Sequence, residues 1–252
     1  RKPDLAGVRR MEAVSFRSFP STVIHYDGTW AIRLTAGHPA KRLNSVNPLD
    51  PRDNTNLEKR LELAKRRFEG YGRELVFRQT PLAPKQLDTL FDSLGWESFD
   101  QSLVMAASIG EMDLAGAVDR LPLADTGRWV DCFLKLSGEP AEQKPGMVEV
   151  ISVTRPKVGL FIEETQSGEI LGSVRCVVDG DLAGLFEIEA NRNFRRKGHA
   201  TRLVLSALKW AVSQGARISW LQVVAENNAA IGLYGKLGFQ QIYTYSYRRQ
   251  AR

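Results

Sequence analysis

Two cysteines in 252 residues are too few for a disulfide framework, and neither Cys132 nor Cys176 has a second Cys or a His at ligand spacing. Neither a staple nor a metal site is therefore expected. Only three histidines occur; His25 and His38 have no partners at diagnostic spacing, while His199 falls in a basic loop and is expected exposed. No apolar run approaches the roughly 20 residues of a membrane span. The opening residues Arg1-Lys2-Pro3-Asp4 lack the apolar core of a secretory signal. These absences lead to the expectation of a cytoplasmic protein in a reducing compartment, with no metal and no membrane partner. The missing initiator Met leads to the further expectation that the first natural residues are absent or removed.

What is present is ordinary for a soluble globular chain: 43% hydrophobic and 25% charged residues. The length suits two domains of about 110 to 140 residues better than one. A net charge of +6 raises the question of nucleic acid, but the basic residues are dispersed. They form small clusters at Lys65-Arg66-Arg67, Arg195-Arg196-Lys197 and Arg248-Arg249, without a zinc finger or an RNP-type aromatic strand. A polyanionic small molecule explains the second cluster, and the others read as solvated faces.

That second cluster lies between a strand and a helix. Leu185 to Ala190 alternates at period two, and from Ala200 the apolar residues Leu203, Val204, Ala207, Leu208 and Ala211 fall on one helical face. A loop in this place presents unpaired helix N–H groups and the positive end of the macrodipole to its front. Gly198 permits close backbone approach, and Ala200 keeps the next contact small. The segment reads as an anion cradle. A strand at Trp220 to Val224, a helix opening near Asn227 and ending at Gly238-Phe239, and a strand from Gln240 follow it.

Here the chain resembles the GNAT superfamily of acyl-coenzyme-A-dependent N-acyltransferases. The resemblance rests on Arg195-x-x-Gly198-x-Ala200, Asn227-x-x-Ala230 and Leu233-Tyr234-x-x-Leu237-Gly238-Phe239, in that order. It implies acetyl-CoA or another short acyl-CoA as co-substrate and a primary amine, on a small molecule or a peptide, as acceptor. Arg195, Arg196, Lys197, Gly198, His199, Ala200 and Thr201 would cradle the pyrophosphate. Ile188, Glu189 and Ala190 would pair with the pantetheine arm, and Asn227 would hold the cofactor or the strand end, or simply cap its helix. Tyr234 matches the family's general acid.

The base is less well marked. The protein N-terminal acetyltransferase branch has a Glu where this chain has Gln222, and an amide accepts no proton at neutral pH. Glu187 is the candidate that remains, expected with Glu189 on the strand face opposite Phe186, Ile188 and Ala190. An acceptor of low amine pKa would need no base. The competing reading is a non-catalytic acyl-CoA-binding or regulatory module.

Around this centre, Asp125-Thr126 predicts a helix with Trp129, Cys132, Phe133 and Leu136 inward, followed by strands at Val158 to Glu163 and Ile170 to Val178. The stretch Ser137 to Lys157, with three prolines, reads as irregular and lies where the superfamily shapes its acceptor pocket.

The first half repeats the second. Leu90-Phe91-Asp92-Ser93-Leu94-Gly95-Trp96 has the form of Leu233 to Phe239, and the glycine offsets 238 − 95 and 215 − 72 are both 143. At this offset Gly198 falls on Thr55, in a loop without glycine, and Tyr234 on Phe91, which has no proton to give. The expected fold is α/β (α+β): tandem GNAT-like domains, each a mixed, mainly antiparallel sheet flanked by helices. Residues 1–108 are expected to form a degenerate domain and 109–252 the catalytic one. Trp30, Arg33 and Lys41 to Val46 could serve strand packing, the acceptor site or the domain interface. Acceptor identity and oligomeric state stay open.

Overall fold

A computed structural model describes residues 4–194 and 197–251. In the first half lie α1 (Leu5–Ser18), β1 (Val23–Asp27), β2 (Trp30–Leu34), β3 (Ser45–Pro48), α2 (Leu57–Gly70), β4 (Phe77–Gln79), α3 (Lys85–Ser93) and β5 (Trp96–Ser108). The second half contributes α4 (Thr126–Ser137), α5 (Lys144–Val153), β6 (Lys157–Glu164), β7 (Ile170–Asp179), β8 (Leu182–Ala190), α6 (His199–Ser213), β9 (Ile218–Val224), α7 (Asn228–Lys236) and β10 (Gln240–Gln250).

The strands form one continuous ten-stranded sheet in the order β1-β2-β3-β4-β10-β5-β9-β8-β7-β6. Exchanging β1 to β5 for β6 to β10 turns this order into its own reverse. Each half is a mainly antiparallel set with one parallel step, β3 to β4 in the first and β8 to β9 in the second. The helices share the pattern: α3 and α7 begin 143 residues apart (228 − 85). The two expected sheets are therefore present but fused, because the last strand of each half crosses to the other. β5 pairs with β9 from Ser102↔Val224 to Ser108↔Ile218, while β10 lies between β5 and β4.

Helices cover both faces. On one, α6 buries Leu203, Val204, Ala207 and Leu208 against Val174, Cys176 and Leu185. On the other, α1 buries Val8, Met11 and Val14 against Leu182, Trp220 and the aromatic stripe Tyr243, Tyr245 and Tyr247. The three tyrosines, each no more than 5% exposed, serve packing. Under α2 and α3, Phe68, Phe77 and Phe91 fill a third core with Trp30.

Three local features depart from the sequence reading. First, α1 escaped notice because Glu12, Ser15 and Ser18 share its buried face, which breaks the apolar spacing. Second, the stretch 137–157 contains the helix α5 with a proline in its first turn, a position that needs no N–H donor. This helix abuts the first half so closely that a Cβ at Gly146 would lie 1.7 Å from the Gly37 carbonyl oxygen. Third, Gly198 precedes α6 at φ +76° and its counterpart before α2 is Asn56 at φ +53°, not Thr55. Asn tolerates the left-handed region better than most residues.

The polar face of α1 is satisfied internally. Glu12 and Arg78, each 2% exposed at the side chain, form a two-pronged ion pair, and Tyr243 donates to Glu12 Oε1 at 2.6 Å. Burial, with the carboxylate second, pushes the Tyr243 hydroxyl up. Replacing Glu12 by Gln leaves the Arg78 charge buried without its partner, which costs about 3 to 5 kcal/mol. Urea unfolding of Glu12→Gln is expected to show that loss with the same m-value. A change below about 1 kcal/mol would mean the pair is not needed to seat α1.

Candidate active site

The site is a gap in the sheet. β8 and β9 pair in parallel from Leu182↔Ile218 to Leu185↔Leu221, and no further. Beyond that point β9 stays with β5 up to Val224, while β8 stays with β7 up to Ala190↔Gly172. The arms separate, leaving the facing backbone edge of residues 186–190 without a β9 partner. In a folded interior such an edge wants hydrogen-bond partners.

A bulge drives the separation. The β7–β8 register shifts between Ser173 and Arg175, and Glu187 takes φ +46°, a left-handed conformation that costs a non-glycine residue about 1 to 2 kcal/mol. The Arg175 guanidinium holds it there, donating to both Glu187 oxygens at 2.6 and 3.1 Å and to the Ser18 carbonyl at 3.1 Å. Ser173 Oγ adds a bond to the Glu187 carbonyl at 3.2 Å. The bulge also corrects the expected alternation. Phe186 packs into the α1 core, whereas Ile188 turns to the α6 core.

Between the arms lies a cleft of about 480 Å³, lined by Glu187, Ile188 and Glu189 on one arm and by Gln222, Val223 and Val224 on the other. Asn227, Ala230 and Tyr234 of α7 line it too. Tyr234 is 8% exposed, and its hydroxyl has no hydrogen-bond partner among the described residues. Burial, with the Glu189 carboxylate second, pushes this hydroxyl up to about 12. It is a proton donor over the whole neutral range. Asn227 caps α7, its Oδ1 accepting from the Ala230 N–H at 3.1 Å.

The loop after Ala190 leads into α6, which packs on β7 and β8. Gly198 is the residue before the helix, and the N–H groups of His199, Ala200 and Thr201 form its first turn. Arg202 ties the loop by donating to the Lys197 carbonyl at 2.7 Å. Lys197 is exposed, its ammonium 5.1 Å from the Phe194 ring. The His199 ring is not exposed as expected: it is 12% accessible, against Phe194, with Glu163 3.3 Å from Nδ1. Arg202 Nη2 lies 2.7 Å from that same nitrogen, so the guanidinium donates and the ring accepts. Nδ1 is thus engaged within the protein, while the His199 backbone N–H stands in the first turn of α6. The expectations for Arg195 and Arg196 lie outside the described residues.

Sequence reasoning left the role of Arg33 and Lys41 to Val46 open and missed Phe19 and His38. Phe19, His38 and Arg42 line the cleft opposite Tyr234's helix, together with Phe133, Glu139 and Met147. His38 Nδ1 accepts from the Ala40 N–H at 3.1 Å, and burial holds the imidazole below its usual range. It is neutral and carries its proton on Nε2. Gln222 is clamped: Nε2 donates to Ser15 Oγ at 3.1 Å, and Oε1 accepts from Tyr245 at 2.9 Å and Arg42 at 3.3 Å. Arg33 and the string Lys41 to Val46 were the sequence signals for this wall.

A model of the Acetyltransferase (GNAT) family matches residues 129–239, which include the bulged strand, α6 and Tyr234. That segment is a GNAT domain. The chain has relatives of two kinds. An uncharacterized N-acetyltransferase of Bacillus subtilis is 28% identical over 247 residues, 96% of this chain and 98% of its own length. The ribosomal protein bS18-alanine N-acetyltransferase of Escherichia coli is 34% identical over 82 residues, 32% of this chain and 55% of that protein. Among solved structures, a GCN5-related N-acetyltransferase from Kribbella flavida superposes with a TM-score of 0.70 at 16% identity, covering 97% of this chain and 95% of that one. A tandem GNAT protein from the clavulanic acid biosynthesis pathway gives 0.65 at 13% identity over 96% and 88%. At these identities the structural likeness is one of fold, and it spans nearly the whole chain. Among the described residues no helix is long and apolar enough to cross a membrane.

The burial of Tyr234 sets a pH signature. Its folded-state value near 12 lies above the ordinary 10.0, so the protonated hydroxyl stabilises the fold below pH 10. That contribution is lost as pH rises through about 12. The tyrosinate absorbance difference between the chain and Tyr234→Phe is expected to be absent below pH 10 and to grow towards 12. Ionisation at or below the ordinary value would mean a solvated hydroxyl.

Proposed function

We propose that the chain transfers an acetyl or other short acyl group from acetyl-CoA to a primary amine by direct attack in a ternary complex. The observation that carries this reading is the wedge between β8 and β9, with a buried, protonated tyrosine beside it and a glycine-led helix start at the end of the connecting loop. The pantetheine arm would complete the open backbone edge at Ile188, Glu189 and Ala190. The pyrophosphate would meet the amides of residues 198–201, with Arg195, Arg196 and Lys197 around it.

In the reaction the amine lone pair forms the new C–N bond at the thioester carbon as the C–S bond breaks. A backbone N–H of the splayed strand would steady the negative charge on the carbonyl oxygen, and Tyr234 would protonate the departing thiolate. Glu187 has both oxygens engaged by Arg175, so proton removal from the ammonium by this carboxylate would require breaking that pair. Direct loss of the proton to water fits the geometry better. We place residues 1–108 as a degenerate GNAT-like half, supported by Phe91 at the end of α3 and by a parallel step reduced to Val46↔Phe77. The free, buried Cys132 and Cys176 agree with a reducing, cytoplasmic setting.

Acetyl-CoA turnover over an amine panel, followed by release of free thiol, tests this reading. Tyr234→Phe is expected to lower kcat by about 10² to 10⁴-fold with an unchanged Kd for CoA. The locked Glu187 and the amide at Gln222 favour a second reading, an acyl-CoA-binding module without catalysis. That reading takes over if CoA binds but no amine raises free thiol above background.

A further inference from the structure

The wall between α1 and the sheet holds four guanidinium groups and two carboxylates. Glu12 is consumed by Arg78 and Glu187 by Arg175, each through two hydrogen bonds. Arg33 is 2% exposed and spends its donors on neutral atoms, the carbonyls of Phe19 and Arg42 and the hydroxyl of Ser21. That leaves Arg42. Its guanidinium is half-buried at the cleft, 5.0 Å from the Phe19 ring, and its recorded hydrogen bond goes to the neutral oxygen of Gln222. Among the described residues no carboxylate lies within ion-pair distance of it.

The segment carrying Arg42 is rigid. Arg73 donates to the carbonyls of Ala36 and His38 at 2.6 and 3.2 Å, and Asn44 bridges the Thr35 N–H and the His38 carbonyl at 2.8 and 2.7 Å. A cation fixed in a partly dehydrated wall without a counter-charge is a recognition element for an anion. Gln222 is central to this: a Glu in its place would lie beside Arg42 and cancel the charge. With Gln at 222 the half-buried positive charge of Arg42 stays on the cleft wall.

We propose that the acceptor is an amine that also bears an anionic group, a carboxylate or a phosphate, which pairs with Arg42 while the amine faces the thioester. This rests on the cleft being the acyl-transfer site. Arg42 then sets acceptor specificity and takes no part in bond making.

The test pairs L-amino acids with their amides and ethanolamine phosphate with ethanolamine, using the full chain and acetyl-CoA. The anionic member of one pair type is expected to be preferred in kcat/KM by about 10- to 100-fold, and which pair responds separates carboxylate from phosphate. Arg42→Gln should erase the preference through KM, and the near-isosteric Gln222→Glu, which sets a carboxylate beside Arg42, should erase it as well. Arg42→Lys should restore part of it. Preference for the neutral amines, or a preference that survives both charge changes, overturns the assignment. Calorimetry of N-acetyl-L-amino acids and N-acetylethanolamine phosphate, against their neutral counterparts, on the CoA-loaded chain reads the same pairing without turnover. Absence of catalysis with Arg42-dependent anion binding would fail the acyltransferase reading alone; absence of both anion preference and anion binding fails this one.

Discussion

The pairing of β5 with both β9 and β10 is the constraint on which the rest of the structure depends. Each half ends in a strand that the other half needs, so neither can close its sheet alone. Hydrogen bonding across the centre makes one sheet of ten strands where two would otherwise expose edges, and an exposed edge invites aggregation. The same exchange fixes the halves in register. It brings the end of α1 and the segment 38–42 over the open side of the cleft, where a separate first domain would have no reason to sit.

The cleft itself is made by a local strain held by a buried charge pair. A left-handed Glu187 would be unfavourable in isolation, but its side chain meets the guanidinium of Arg175, which is anchored in turn on the α1 terminus. The carboxylate that the sequence offered as a base is here paired with Arg175, and that pair braces the bend. Its work is to bend β8 away from β9. Ser15, Ser18 and Phe19 at the end of α1 each contact a different member of this wall, so the first helix supports the gap between β8 and β9.

The two halves differ at a few equivalent positions. Asn56 keeps the left-handed turn that Gly198 makes, so the helix start survives, but its side chain occupies space that glycine leaves open. Phe91, packed at 4.9 Å against Phe77 and 4.7 Å against Trp96, has become core. Tyr234 kept a hydroxyl at a cavity. At the position of Tyr234 the first half has packing, and its Phe19, His38 and Arg42 line the cleft of the second.

Short-range physics made part of this legible in the residues alone. The period-two and three-and-four spacings located β8, α6, β9 and α7, and Gly198, Asn227 and Tyr234 stood out because a left-handed turn, a helix cap and a buried hydroxyl each need a particular side chain. The 143-residue offset exposed the repeat. What spacing cannot encode is pairing between distant segments. The strand exchange, the Arg175 hold on Glu187, the neutral ring of His38, the burial of His199 and the uncompensated Arg42 all depend on which groups meet across the fold. Charge balance and burial are properties of that meeting, and only the tertiary structure decides them.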